Sequence, residues 1–223
     1  MATPTPISEF NSGANFWNST PRSSAAQAVS STTAGNFLLL TALNVVAISS
    51  VTDNIGGVWT VVNPAGGGAS SFAWSFAPVS SGGFTVTTNF PSQAFLGIAI
   101  AQYGNIDKKN PVDMVTTATT GTGTTITCNP VTTRWNAELI VEVCVAAGSA
   151  ITFSAPFTLR SNVQSNAKTG EDIVTTKQTN LVAGATLGTS QTWNAVAIAI
   201  VGSGQRSPSG VGNMGSSLLM GVG

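Results

Sequence analysis

Between Asn36 and Gly202 the chain alternates short apolar or β-branched runs with clusters of Gly, Pro, Asn and Ser. Runs of this length, bounded by turn formers and lacking a 3.6-residue period, mark strands rather than helices. The predicted strands are Phe37–Leu43, Val45–Thr52, Val58–Val62, Phe72–Phe76, Phe84–Thr88, Phe95–Gln102, Thr124–Cys128, Glu138–Val145, Ile151–Phe153, Phe157–Arg160, Ile173–Thr179 and Ala195–Val201. Phe84, Val86 and Thr88 fall on one face and Thr85, Thr87 and Asn89 on the other, and Glu142 stands among apolar neighbours. Such half-buried strands predict an all-β, two-layer antiparallel β-sandwich around one core, jelly-roll or lectin-like because twelve strands exceed a minimal immunoglobulin domain. The turn clusters Asp53–Gly57, Ala65–Gly68 and Ser80–Gly83 predict consecutive hairpins.

Both ends of the chain lack this period. Residues 1–34 read as an extended N-terminal arm, 35–202 as the sandwich body and 203–223 as a Gly/Ser-rich C-terminal tail. Each end nevertheless carries apolar residues that it has no means of burying alone: Phe10, Phe16 and Trp17 in the arm, and Leu218, Leu219 and Met220 in the tail. These six are candidate assembly contacts, since buried aromatic anchors dominate interface energetics. The tail either folds back onto its own body or docks on a neighbouring subunit.

Charge sharpens this picture. Only 7% of the 223 residues are charged, 8 basic against 8 acidic, where roughly 25% is usual. Basic residues scattered from Arg22 to Arg206 do not suit nucleic acid, whose binding rests on gathered phosphate contacts. A neutral, hydroxyl-rich surface is poorly protected against self-association, which points to a homo-oligomer, with a trimer expected. No apolar run is long enough to predict a membrane span. The first thirty residues show no basic segment followed by an apolar one, so synthesis in a cytoplasm is expected.

The absence of histidine from the chain removes Ser-His-Asp and Cys-His catalysis and imidazole metal sites. Asp53 and Asp107 sit in turn contexts, where Asp caps backbone, and Glu171-Asp172 reads as a solvated loop, so a facing acid pair for glycoside hydrolysis is not expected. The turns Asp53–Gly57 and Asp107–Asp113 could offer oxygens to calcium but lack EF-hand spacing, and ordinary turn duty is the favoured reading. The expectation is no catalytic residue, no metal and no cofactor. Cys128 and Cys144 read as two buried free thiols. Trp59 and Trp74 read as internal, while Trp135, near a loop, is a possible ligand-facing aromatic.

The stretches VTDNIGGVWTVV, SGGFTVTTNF, FLGIAIAQYGNIDKKNPVD and TRWNAELIVEVCVA, across residues 36–201, resemble β-sandwich domains of bacteriophage virion proteins and secreted bacterial surface proteins. The resemblance implies a structural role on a virus particle rather than catalysis. The expected function is that of a capsid cement (decoration) protein on the outer capsid surface, bridging neighbouring capsomers, with the major capsid protein as partner. The alternative is a carbohydrate- or receptor-binding module of a tail fibre or adhesin.

Overall fold

The computed structural model of the protein describes residues 4–11, 21–43, 47–66, 70–94, 97–164 and 167–205. These residues contain no helix. Fifteen strands follow in order: β1 (Thr5–Asn11), β2 (Arg22–Val29), β3 (Phe37–Leu43), β4 (Ser50–Asp53), β5 (Thr60–Val62), β6 (Ser70–Phe76), β7 (Phe84–Ala94), β8 (Gly97–Gly104), β9 (Val112–Val115), β10 (Thr119–Thr127), β11 (Glu138–Ala146), β12 (Ile151–Phe153), β13 (Thr158–Gln164), β14 (Ala167–Val174) and β15 (Gly184–Val201). Every pairing between them is antiparallel. The fold is thus all-β and antiparallel, with sheets packed face to face, as the alternation predicts.

The layering is deeper than two sheets. A five-stranded sheet runs β1-β8-β3-β6-β5, a three-stranded sheet β2-β7-β4, and a seven-stranded sheet β10-β15-β11-β14-β13, with β9 and β12 also on β15. One apolar cluster (Val29, Leu38, Leu40, Val86, Ile98, Ile100 among others) fills the space between the three- and five-stranded sheets. A second, including Phe37, Leu39, Phe72, Val141, Val143 and Ile198, joins the five-stranded sheet to the seven-stranded one. The five-stranded sheet is therefore covered on both faces, and β3 is buried along its whole length. β11 is equally enclosed. Strands covered on both sides read as continuous apolar runs, FLLLTAL and ELIVEVCVA, instead of alternating.

The third cluster lies on the far side of the seven-stranded sheet, and β15 supplies both of its walls: Ala195, Ala197 and Ala199 on one, Ala185 and Leu187 on the other. The 18-residue strand must therefore double over. Its partner β10 does the same, for the Thr119 hydroxyl donates to the Thr127 carbonyl at 2.7 Å. A straight strand of that length would separate those ends by roughly 26 Å. A register shift between Gly123 and Thr125 marks the corner, and Gly123 has φ 150°, which a side chain would resist.

Several expectations are corrected here. Arg22–Val29, assigned from sequence to the arm, is a strand on β7; its inward positions are Ala25, Gln27 and Val29, small or polar residues that hide the alternation. Phe10 likewise lies in a strand, its backbone opposite Ile100. Of the three predicted hairpins, only the one through Ala65 and Gly66 joins neighbouring strands, β5 and β6. Asp53–Gly57 and Ser80–Gly83 instead carry the chain between sheets. Glu171 and Asp172 belong to β14, not to a solvated loop, and pair with Val141 and Ile140 of β11.

Gly121 stands directly opposite Trp193, and a Cβ there would collide with the indole ring. Gly121→Ala is expected to lower the unfolding free energy by about 1–3 kcal/mol, the usual overpacking cost. Gly82→Ala, where a Cβ meets nothing within 4 Å, should leave it unchanged. Urea denaturation of the two variants beside the parent checks both outcomes.

Candidate functional site

Charged side chains in a chain so poor in them are informative wherever they gather, and the fold gathers them at three places. The first lies where β9 and β11 flank the end of β15, with Val112 opposite Ile200 and Glu138 opposite Val201. The segment 131–137 closes over this end. Its Trp135 N–H donates to Glu138 Oε1 at 2.9 Å, its Arg134 N–H donates to Asp113 Oδ2 at 2.9 Å, and Arg134 Nε pairs with Asp113 Oδ1 at 3.1 Å. Glu138 has no solvent exposure, and the Asp113 side chain only 2%. Burial, with Asp113 beside it, pushes the Glu138 carboxyl up to about 7 against the opposing pull of the Trp135 N–H. A carboxyl poised near neutrality beside a second one has the electronic character of an acid–base pair. Access decides its use: both carboxyls are covered, and Arg134, 73% exposed, is the member that meets solvent. The arrangement is a lock that fastens segment 131–137 to the sheet.

The second gathering is Glu142 in the middle of β11, buried with no exposure. Its Oε1 accepts from Cys144 Sγ at 3.1 Å and Cys128 Sγ at 3.6 Å. Burial pushes Glu142 up to about 7, the two thiol contacts pulling the other way. Burial first, then the nearby Glu142, holds both thiols well above their ordinary range. They stay protonated, which makes them donors to the carboxyl and poor nucleophiles. Both cysteines are free and buried.

The third spans the two large sheets. The buried Tyr103 of β8 donates its hydroxyl to Glu171 Oε2 at 3.0 Å, and Arg160 of β13 lies 3.6 Å from the same oxygen with its guanidinium 5.3 Å from the Tyr103 ring centre. A phenol taken out of water needs such a partner. Burial and the Glu171 charge keep it protonated.

The turn aspartates are committed to local donors, backbone N–H groups and one indole. Asp53 Oδ1 accepts from the N–H groups of Ile55 and Gly57 at 3.0 and 2.8 Å, and Asp53 Oδ2 from Trp59 Nε1 at 2.7 Å. Asp107 Oδ1 accepts from Lys109 and Asn110 at 2.8 and 2.9 Å. Among the described residues no three Cys, Asp or Glu side chains are placed to hold a metal ion. Trp59 and Trp74 pack partly buried against the first and second clusters. Trp135 is half-buried in segment 131–137. Phe16, Trp17, Leu218, Leu219 and Met220 lie outside the described residues, as do the side-chain surroundings of Phe10. The Asp113–Arg134–Glu138 grouping was not anticipated; the available signal was a Glu opening the long apolar run of β11, a charge with nowhere to go but a buried partner.

Comparison with known proteins finds no matching family model, no matching curated protein and no matching solved structure.

Glu142 titrates near 4.5 in an unfolded chain and about 7 in the fold. The folded state thus holds the proton longer, so its stability is full below about pH 4.5, falls as pH rises and levels off above about pH 7. At about 1.4 kcal/mol per pH unit, the loss is roughly 3 kcal/mol. Glu142→Gln keeps the shape without the titration; it should match the parent at pH 4.5 and exceed its stability at pH 8. Urea midpoints across that range read the difference.

Proposed function

We propose that this chain is a structural virion protein of the capsid cement type, an oligomer on the outer capsid surface that bridges neighbouring capsomers. The observation that carries the reading is how charge is divided between interior and surface. Asp53, Asp107, Asp113, Glu138, Glu142, Glu171 and Asp172 are buried or half-buried, whereas Arg22, Lys108, Lys109, Arg134 and Lys177 are exposed. The acids that come together serve internal locks, which leaves the surface, not a catalytic centre, as the working part.

Four of the exposed cations share one end of the stack. The Asp107 N–H donates to the Val201 carbonyl and the Gly202 N–H to the Ala137 carbonyl, both at 2.9 Å. The Lys177 N–H donates to Asn136 Oδ1 at 3.1 Å. These bonds knit the segments carrying Lys108 and Lys109, Arg134 and Lys177 side by side. Such an end fits an acidic patch on the major capsid protein, with charge setting orientation and encounter rate. The outer face of the three-stranded sheet, by contrast, presents Ser24, Ala26, Ala28, Ser50, Thr52 and Thr85 to solvent.

Because β1 and β2 are integral strands, the informative variants leave residues 1–34 in place. Lys108→Glu/Lys109→Glu and a chain ending at Gln205 should each weaken co-sedimentation with particles stripped of this protein, by about tenfold, equivalent to about 1.4 kcal/mol. Unchanged particle binding by both variants would refute the attachment scheme. A chain that ignores particles and binds a glycan array instead would be a carbohydrate-binding module.

A further inference from the structure

The two halves of the chain repeat one pairing scheme. In the first half, β8 lies between edge strand β1 and β3, and the sheet continues through β6 to β5; in the second, the end of β15 lies between β9 and β11, and the sheet continues through β14 to β13. The smaller layers agree as well. β7 is flanked by β2 and β4, and the beginning of β15 by β10 and β12. Even isolated bridges recur, Thr32 with Ser81 ahead of β3 and Val131 with Leu181 ahead of β11.

The facing of individual positions follows the same correspondence. Gln27 opposite Val86 and Val51 opposite Thr88 point inward in the first half, as do Ile126 opposite Ala185 and Ile151 opposite Leu187 in the second. Leu38, Leu40 and Ala42 face the first half's own core, and Ile140 and Cys144 face the second's. On the opposite faces, Phe37, Leu39 and Leu43 meet Leu139, Val141 and Val145 in the central cluster.

We infer that residues 22–104 and 119–201 are two copies of one β-unit, each with its own core, and that the central cluster is an interaction surface whose partner is a second copy of that unit, fused here into one chain. A shared strand order alone could arise in unrelated sandwiches. Order, register, inward facing and the isolated bridges together are what copies of one unit would share. The central surface also has the build of a subunit interface, an apolar middle with the polar Tyr103–Glu171–Arg160 group spanning the two sheets. None of this depends on the virion reading.

The test uses the full-length protein. A recognition sequence for a site-specific protease, inserted between the exposed Lys108 and Lys109, allows the folded chain to be cut between the units. The cut protein should elute at the mass of the intact one, keep its β circular dichroism, come apart in urea, and regain mass and signal on dilution. Failure to regain them would overturn the inference. A second measurement avoids the insertion: hydrogen exchange in rising urea on the uncut chain carrying Leu40→Ala, in the first unit's own core. Protection of 22–104 should be lost at lower urea than that of 119–201, whose own core is untouched. Loss of both at one shared midpoint would show a single cooperative body and overturn it.

Discussion

Burial of the central strands on both faces is the constraint from which the rest of the structure follows. Along β3 and β11 no water reaches the backbone from either side, so each N–H and C=O must find its partner within the sheet. Both strands are accordingly paired on each edge, β3 by β6 and β8, β11 by β14 and β15. A polar side chain in these strands needs a specific acceptor or donor, and the fold supplies them. The Thr41 hydroxyl reaches the Ala99 carbonyl, Glu142 receives two thiols and Glu138 receives a backbone N–H. The acids sit where isolated charges would be costly, and they hold their protons to about neutrality as a result.

What the sequence discloses follows from the same constraint. β3 and β12 carry the boundaries their residues predict, and β11 differs by one residue, because long apolar runs, and a short run set between small and turn-forming residues, leave little choice. β2 and β9 escape detection because their inward faces are built from Ala, Gln and isolated aliphatics rather than a regular apolar alternation. β14 was misplaced because Lys168, Glu171 and Asp172 suggest solvent, whereas pairing with β11 and the bond to Tyr103 hold Glu171 in the sheet. The partner of Glu138 is hidden for a different reason: Asp113 and Glu138 are brought together across β15, and no local spacing announces a contact made through a third strand.

The repeat is hidden by compensation. Leu40 in one half answers to Glu142 in the other, and Val29 to Cys128. Where the first core takes Ile98 and Ile100 from its central strand, the second takes Ala195 and Ala197 and makes up the volume with Ile126, Phe157 and Leu187. Interiors are filled to constant density, so volume removed from one wall must return on another. Two units can thus keep identical pairing while losing nearly every shared residue, and only hydrogen-bond order preserves the likeness.

The doubled-over β15 has a mechanical side. Its final residues, Trp193 to Val201, run antiparallel to Glu138–Ala146, with the bonds set crosswise to the strand. Tension applied beyond Gln205 along that axis would load the whole ladder in shear, so that many bonds must yield together, instead of peeling them one at a time. The bend then passes load into the outer wall of the same core. A protein held by its C-terminal end would resist traction far better than its thermodynamic stability alone suggests.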